Sequence, residues 1–386
     1  MSNATKQDLL PPLVADLLSD PVPFIDNVFA DGWKRLSVNT LIAKAGLTKR
    51  TGTGVSVAVY LLLIWRWLNV SSISMFSQKA LGLFSQAKKD VTYDLLKRED
   101  INWRALNLST AGQLYSTHKL QSNEDRAFLL DDPIKTRKGK RMEGVSSHFD
   151  QVSNTSVMGQ QVLTLGLSTD QAFVSLDSQI AISNVRTQGL AKDFKDGRSA
   201  GAQRYNEAVG QTRVKMATGM IRRAVRHGIR ASYVVADAWF GNKDMMRAAM
   251  QLGMVAILRM KRNKTKYRVP HGNGYTLLDA NELYRRAVRK QWVQVADLPC
   301  KAVEMVVEID LSTAKGRHAT PSYQPVKLLF VRGINDKEDR TASRKDWALF
   351  LSTDASISSA KTLQVYALRW SIEVYFREAK QHLGIL

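Results

Sequence analysis

Two apolar runs in this chain each end in aspartate. Ala127-Phe128-Leu129-Leu130 is followed by Asp131-Asp132-Pro133, and Tyr233-Val234-Val235-Ala236 by Asp237. Short apolar runs of this kind read as fully buried strands. A carboxylate directly after one emerges at a sheet edge, where a metal ion can reach it. Aspartate is also a common turn starter, so neither run is diagnostic alone. A third set lies near the C-terminal end: Tyr366, with Arg369, Glu373 and Lys380 at offsets of 3, 7 and 14. At about 100° per residue the four fall within roughly 60° of one another on a helix. Leu363, Trp370, Val374 and Phe376 flank this stripe. A half-buried stripe with a carboxylate between two cations needs a polar partner, such as a metal and a phosphate. The plainer alternative is a solvated helix face.

The elements that must position these groups are legible in outline. Residues 1 to about 120 read as helical, with Val57, Tyr60, Leu61, Ile64 and Leu68 at helical spacing and a break at Ser71-Ser72-Ile73-Ser74. No clean helix-turn-helix pattern is present, so this region reads either as a DNA-end-binding module or as a helical cap on the core. From Ala127 onward strands dominate. Gln161–Leu167 and Gln171–Leu176 follow as a hairpin around Ser168-Thr169-Asp170, with a polar linker at 186–202. A long helix is predicted over Tyr205–His227, closed by Gly228, then a strand at Tyr233, a helix over Lys243–Leu252 and a strand over Val255–Leu258. Three strands followed by helix, strand, helix and strand give a mixed sheet with flanking helices, in the order of an RNase H-like core. Residues 259–345 are basic at first, then alternate like strands over Val303–Ile309 and Val326–Val331 around a Gly272-Asn273-Gly274 turn. Trp347–Leu351 and a long helix over Ser358–Leu383 return to the core.

Composition narrows the partner. Lys and Arg total 56 against 35 Asp and Glu, a formal charge of +21 with a pI near 10.0. Each cation set against a phosphate releases condensed counterions, so this balance suits nucleic acid better than a merely soluble basic surface. The single cysteine, Cys300, excludes a disulfide framework or a cysteine-rich zinc site within one chain, and reads as a buried structural thiol. The six histidines show no metal spacing, and His148 and His227 read as surface residues. There is no phosphate-binding glycine loop of the ATPase type, so no nucleotide cofactor is expected. Met1–Val14 lacks the pattern of a signal peptide, and the most apolar stretch, Val55–Trp65, is too short for the roughly 20 residues of a membrane span. A cytoplasmic protein with no membrane contact is expected.

The C-terminal stripe also carries a resemblance. Tyr366-x2-Arg369-x3-Glu373-x6-Lys380 resembles the Tyr-Arg-Glu-Lys signature of the DDE insertion-sequence transposases of the IS-four family. Leu129-Leu130-Asp131-Asp132-Pro133-Ile134-Lys135, with Lys138-Gly139-Lys140 and Met142-Glu143-Gly144-Val145 after it, is similar to that family's first-Asp block. Val234-Val235-Ala236-Asp237-Ala238-Trp239-Phe240-Gly241 is similar to its second. The three blocks occur in family order between about 130 and 386, and the first 120 residues match no motif. The resemblance implies an RNase H-like core in two parts (121–258 and 346–386), a β-rich insertion domain (259–345) and a helical N-terminal region (1–120). It implies that Asp131, Asp237 and Glu373 hold two Mg²⁺ ions, with Mn²⁺ as a substitute, and that Tyr366, Arg369 and Lys380 bind DNA together with Lys135 and Lys138 of the first block. The implied reaction is hydrolysis at transposon ends followed by strand transfer, on double-stranded DNA and by a homodimer. Strand alternation allows only one of Asp131 and Asp132 to be the ligand, and the resemblance favours Asp131. Pro133 stands where the family commonly has threonine. The chain stops six residues after Lys380, where relatives usually continue. A catalytically dead or truncated DNA-binding derivative is therefore the alternative, and a nuclease without strand transfer a third reading.

Overall fold

The computed structural model describes residues 21–49, 51–68, 72–139, 141–151, 153–296, 298–313, 320–333 and 347–384. Met1–Val14, Ser71, Lys140 and 334–345 of the sequence reading lie outside them. The N-terminal region is built from helices α1 (Pro21–Arg35), α2 (Val38–Lys44), α3 (Val55–Ile64), α4 (Ile73–Lys79), α5 (Leu81–Phe84), α6 (Asp90–Leu96) and α7 (Trp103–Thr117). Helix α3 is apolar all round, so periodicity alone could not choose its buried face. It buries Val55, Ala58, Val59, Leu61 and Ile64, whereas Val57, expected on the inner stripe, is 40% exposed. Its two ends feed two small cores, one with Ile42, Leu95 and Ile101, the other with Phe76 and Leu81. Among the described residues no single helix is long and apolar enough to cross a membrane.

The rest of the chain forms one mixed sheet. Its central strands are β1 (Ala127–Asp131), β4 (Thr155–Ser168), β5 (Phe173–Ala181), β6 (Tyr233–Ala236) and β7 (Val255–Met260). They lie in the order β5-β4-β1-β6-β7. The β5-β4-β1 pairs are antiparallel and the β1-β6-β7 pairs parallel. Two short strands, β2 (Ile134–Thr136) and β3 (Ser146–Asp150), pair with the first half of β4. The parallel pairs require crossover helices. These are α8 (Ala200–Gly210), α9 (Arg213–Arg226) and α10 (Lys243–Gln251).

The helix expected over Tyr205–His227 is thus two helices. Gly210 ends the first, and the Thr212 side chain caps the second by accepting the N–H of Lys215. The basic segment after β7 forms β8 (Tyr267–His271), β9 (Gly274–Leu278), α11 (Ala280–Ala287), β10 (Val293–Gln294), β11 (Cys300–Asp310) and β12 (Tyr323–Gly333). These strands continue the same sheet, because β12 pairs with β13 (Ala348–Ser352) and β13 with β7. The chain then ends in α12 (Ser359–Ala367) and α13 (Trp370–His382). The single helix expected over Ser358–Leu383 is interrupted at Leu368-Arg369, where the Ile372 N–H bonds the Arg369 carbonyl in a tighter turn.

Alternation sorts the central strands onto two faces. Phe128, Leu130, Val234 and Ala236 pack with Met216, Met220 and Met245 of α9 and α10. Ala127, Leu129 and Val235 pack on the opposite face with Val365, Ile372 and Phe376 of α12 and α13. This division fixes the direction of every side chain at the strand ends.

Candidate active site

Continuing the alternation by one residue places Asp131 on the α13 face, in phase with Ala127 and Leu129, and Asp237 likewise, in phase with Tyr233 and Val235. Leu130 and Ala236 are register partners across the parallel pair, so the two aspartates leave adjacent strands side by side. Helix α13 lies over β1, β4 and β5. Its start is tied to the sheet by the Ser371 hydroxyl, which bonds the Ser168 hydroxyl at 2.9 Å. Ser168 pairs with Ala127 at the start of β1, and Glu373, in the first turn of α13, lies close enough to Asp131 for its charge to act there. The charges of Asp237 and Glu373 both act on Asp131. Burial, the largest effect, raises the Asp131 carboxyl above its ordinary value, the two carboxylates add to this, and Arg369 opposes it. Asp237 is fixed by the turn after it, since its Oδ1 accepts the N–H of Trp239 at 2.9 Å and of Phe240 at 3.4 Å.

That turn explains Gly241 in the second block. A Cβ there would stand 2.3 Å from the Arg259 carbonyl oxygen of β7, a distance no side chain tolerates.

Arg369 sits among these acids and forms an ion pair with Glu373. Burial works against the guanidinium charge, but the bond to Glu373 and the field of Asp131 outweigh it and hold its pKa above the ordinary value. Tyr366 stacks edge-on against Phe350, with ring centroids 4.6 Å apart. Burial pushes its phenol up, and it lies in the fields of Arg369, Arg259, Asp237 and Glu373. Tyr366 and Arg369 thus lie in the fields of the same carboxylates, Asp237 and Glu373 for the first and Asp131 and Glu373 for the second. Lys380 stands exposed two turns beyond Glu373, and Lys135 and Lys138 lie on and just after β2, outside the carboxylate group.

Asp132 points to the other face. Its carboxylate bonds the Arg213 guanidinium at 2.6 Å and the Gln161 amide at 3.0 Å. Burial raises its pKa to about 7 even though Arg213 opposes the shift. Sequence reasoning missed Arg213 because the predicted long helix hid the helix N-terminus that presents it. His148, read as a surface residue, is 8% exposed, and the Ser146 hydroxyl lies 2.9 Å from its Nε2. Its burial, visible only once β3 pairs with β4, holds its pKa below the ordinary value. His227 is exposed as expected. Cys300 is half-buried rather than buried, and burial raises its thiol pKa. An open cleft of about 780 Å³ runs from Asp131, Asp132 and Asp237 to Phe149, Arg213 and Trp239.

The chemistry of the donor set suits a hard divalent cation: three carboxylates from two strand ends and a helix, with the burial of Asp131 opposed by nearby positive charge. Among the described residues no group of three or more His, Cys, Asp or Glu side chains is gathered at metal-ligand spacing, and the Glu373 carboxylate is bonded to Arg369 instead.

A carboxylate-lined edge of a mixed sheet in a strongly basic chain belongs to the nucleic-acid-processing class, and comparison with known families agrees. The chain belongs to the DDE superfamily endonucleases, whose family model matches residues 86–295, more than half its length. A transposase DDE domain model matches residues 208–386, and together the two matches support a DNA transposase function. No curated protein matches the chain.

Proposed function

We infer that this protein is a cut-and-paste transposase of the IS-four type, hydrolysing phosphodiester bonds at the ends of its element and joining the freed 3′ ends to target DNA. The observation that supports this reading is that Asp131 and Asp237 follow adjacent parallel strands and that the charges of Asp237 and Glu373 both act on Asp131. The β5-β4-β1-β6-β7 order, with its antiparallel and parallel halves, supports an RNase H-like core over 121–258 and 346–386. On this reading 259–345 is its β-rich insertion, and 1–120 a helical region that binds the DNA ends or caps the core.

Asp131, Asp237 and Glu373 would hold two Mg²⁺ or Mn²⁺ ions. When bound, such ions supply Lewis-acid stabilisation of the attacking and leaving oxygens. Arg369, Tyr366 and Lys380 hold end phosphates, with Lys135 and Lys138 contributing along the duplex, as cations and phenols do generally. To serve as a ligand Glu373 would have to leave Arg369, and the guanidinium would then be open to a substrate phosphate. Joining two ends calls for two copies on DNA, acting in the cytoplasm.

The test is a cleavage assay on duplex carrying the terminal sequences that flank the reading frame. Mg²⁺ or Mn²⁺ should support cutting. Ca²⁺, with looser geometry, should not. Cutting undiminished by a chelator contradicts the reading.

A further inference from the structure

Trp239 lies two residues beyond Asp237, on the rim of the cleft, and is 36% exposed. Two cations from different elements meet its ring. The Arg213 guanidinium, from the first turn of α9, is 3.9 Å from the ring centroid, and the Lys261 ammonium, just after β7, is 4.1 Å from it. Strands β6 and β7 are parallel and neighbouring, so the residues that follow them emerge at the same edge as the carboxylates. Arg213 is partly neutralised by Asp132. Lys261 is exposed and has no carboxylate partner among the described residues.

A ring face attracts cations through its quadrupole, and a planar indole is the strongest such face. One ring therefore restrains the Lys261 side chain, and adds to the hold of Asp132 on Arg213, beside a cleft lined by Asp131, Asp132 and Asp237. A phosphodiester approaching that group meets repulsion, and fixed positive charge at its mouth offsets it.

We propose that Trp239 is a positioning residue that holds Arg213 and Lys261 at the mouth of the carboxylate group, where Lys261 contacts a backbone phosphate of the DNA strand being cut. The proposal deepens the transposase reading and rests on it. It adds Lys261 to the DNA-contacting set, with Trp239 and Arg213 as the groups beside it, on the side of the site away from the α13 stripe.

The experiment measures the affinity of the full chain for a fluorescein-labelled duplex across a salt series, beside thermal melts of each variant. Each phosphate contact contributes about −0.9 to the slope of log affinity against log salt, or about 3.5-fold between roughly 50 and 200 mM. Lys261→Ala should flatten the slope by about one contact without moving the melting point. Trp239→Leu should flatten it as well, and adding Lys261→Ala to Trp239→Leu should flatten it less than it does alone. Trp239→Phe, which keeps a ring face, should restore most of the slope. A merely structural tryptophan would move the melting point and leave the slope alone. An unchanged slope in Lys261→Ala overturns the proposal, as does a Trp239→Leu effect confined to stability. Glu373→Gln separates the two levels: if it abolishes cutting while Lys261→Ala binds like wild type, the transposase reading stands and this inference fails.

Discussion

Glu373→Gln should abolish DNA cleavage while leaving DNA binding intact or slightly tighter. The substitution keeps the shape of the side chain and removes one carboxylate charge from the group formed with Asp131 and Asp237. Losing a direct metal ligand should exceed the roughly 10–100-fold cost of losing an outer-shell partner. Binding should not suffer, because a negative charge near the phosphate is gone. Stability should change little. Glu373 is about a third exposed (36%) and its pairing with Arg369 is a one-turn helical pair, a class contributing about 0.3–0.5 kcal/mol. Its favourable place in the first turn of α13 adds about 0.3–1 kcal/mol. Arg369→Ala and Lys380→Ala should do the reverse and weaken DNA binding, with Tyr366→Phe milder by the roughly 1 kcal/mol of one hydroxyl bond. If all four variants instead lose stability together, with no split between binding and cutting in gel shifts, melts and cleavage assays, the stripe is structural.

The largest stability effect should come from Asp177→Ala, far from the chemistry. Asp177 is 1% exposed, in the middle of β5. Its Oδ2 accepts from Arg223 of α9 at 2.9 and 2.8 Å, and its Oδ1 from Arg104 of α7 at 3.3 Å. Arg104 also bonds Glu207 of α8 at 2.9 Å. Arg204 lies beside them, its pKa lowered first by burial and then by the charge of Arg104. Removing the carboxylate leaves three guanidinium groups with one partly exposed carboxylate, Glu207, and the neutral oxygens of Gln179 and Ser178. Breaking a buried pair in this way costs about 3–5 kcal/mol, against about 0–1 for a surface pair. Urea unfolding should register a loss in the upper range. A loss below about 1 kcal/mol would mean that this network does not dock the N-terminal helices onto the sheet.

The contrast between Asp131 and Asp132 shows how far the sequence could be read. Apolar runs marked both strand ends, because the central strands are covered by helices on both faces and need no polar alternation. The choice between adjacent aspartates depends on which face α13 covers, and that is a tertiary fact. Arg213 escaped notice for a local reason, since the break at Gln211-Thr212 interrupts an otherwise helical pattern. The joining of β12 to β13 was equally hidden, because strand pairing across distant segments leaves no mark in either strand alone. Trp239 stood in a block already singled out, yet its two cations come from residues 26 positions before and 22 after it.

The most direct measurement of the central claim is Mn²⁺ binding to the full chain on duplex DNA, followed by the metal's electron paramagnetic resonance signal in wild type, Asp131→Asn, Asp132→Asn and Asp237→Asn. The account predicts that Asp131→Asn and Asp237→Asn lose bound Mn²⁺ while Asp132→Asn, whose carboxylate faces Arg213, retains it. Retention by Asp131→Asn together with loss in Asp132→Asn would contradict the assignment. Equal binding by all four proteins would contradict a metal site at these strand ends.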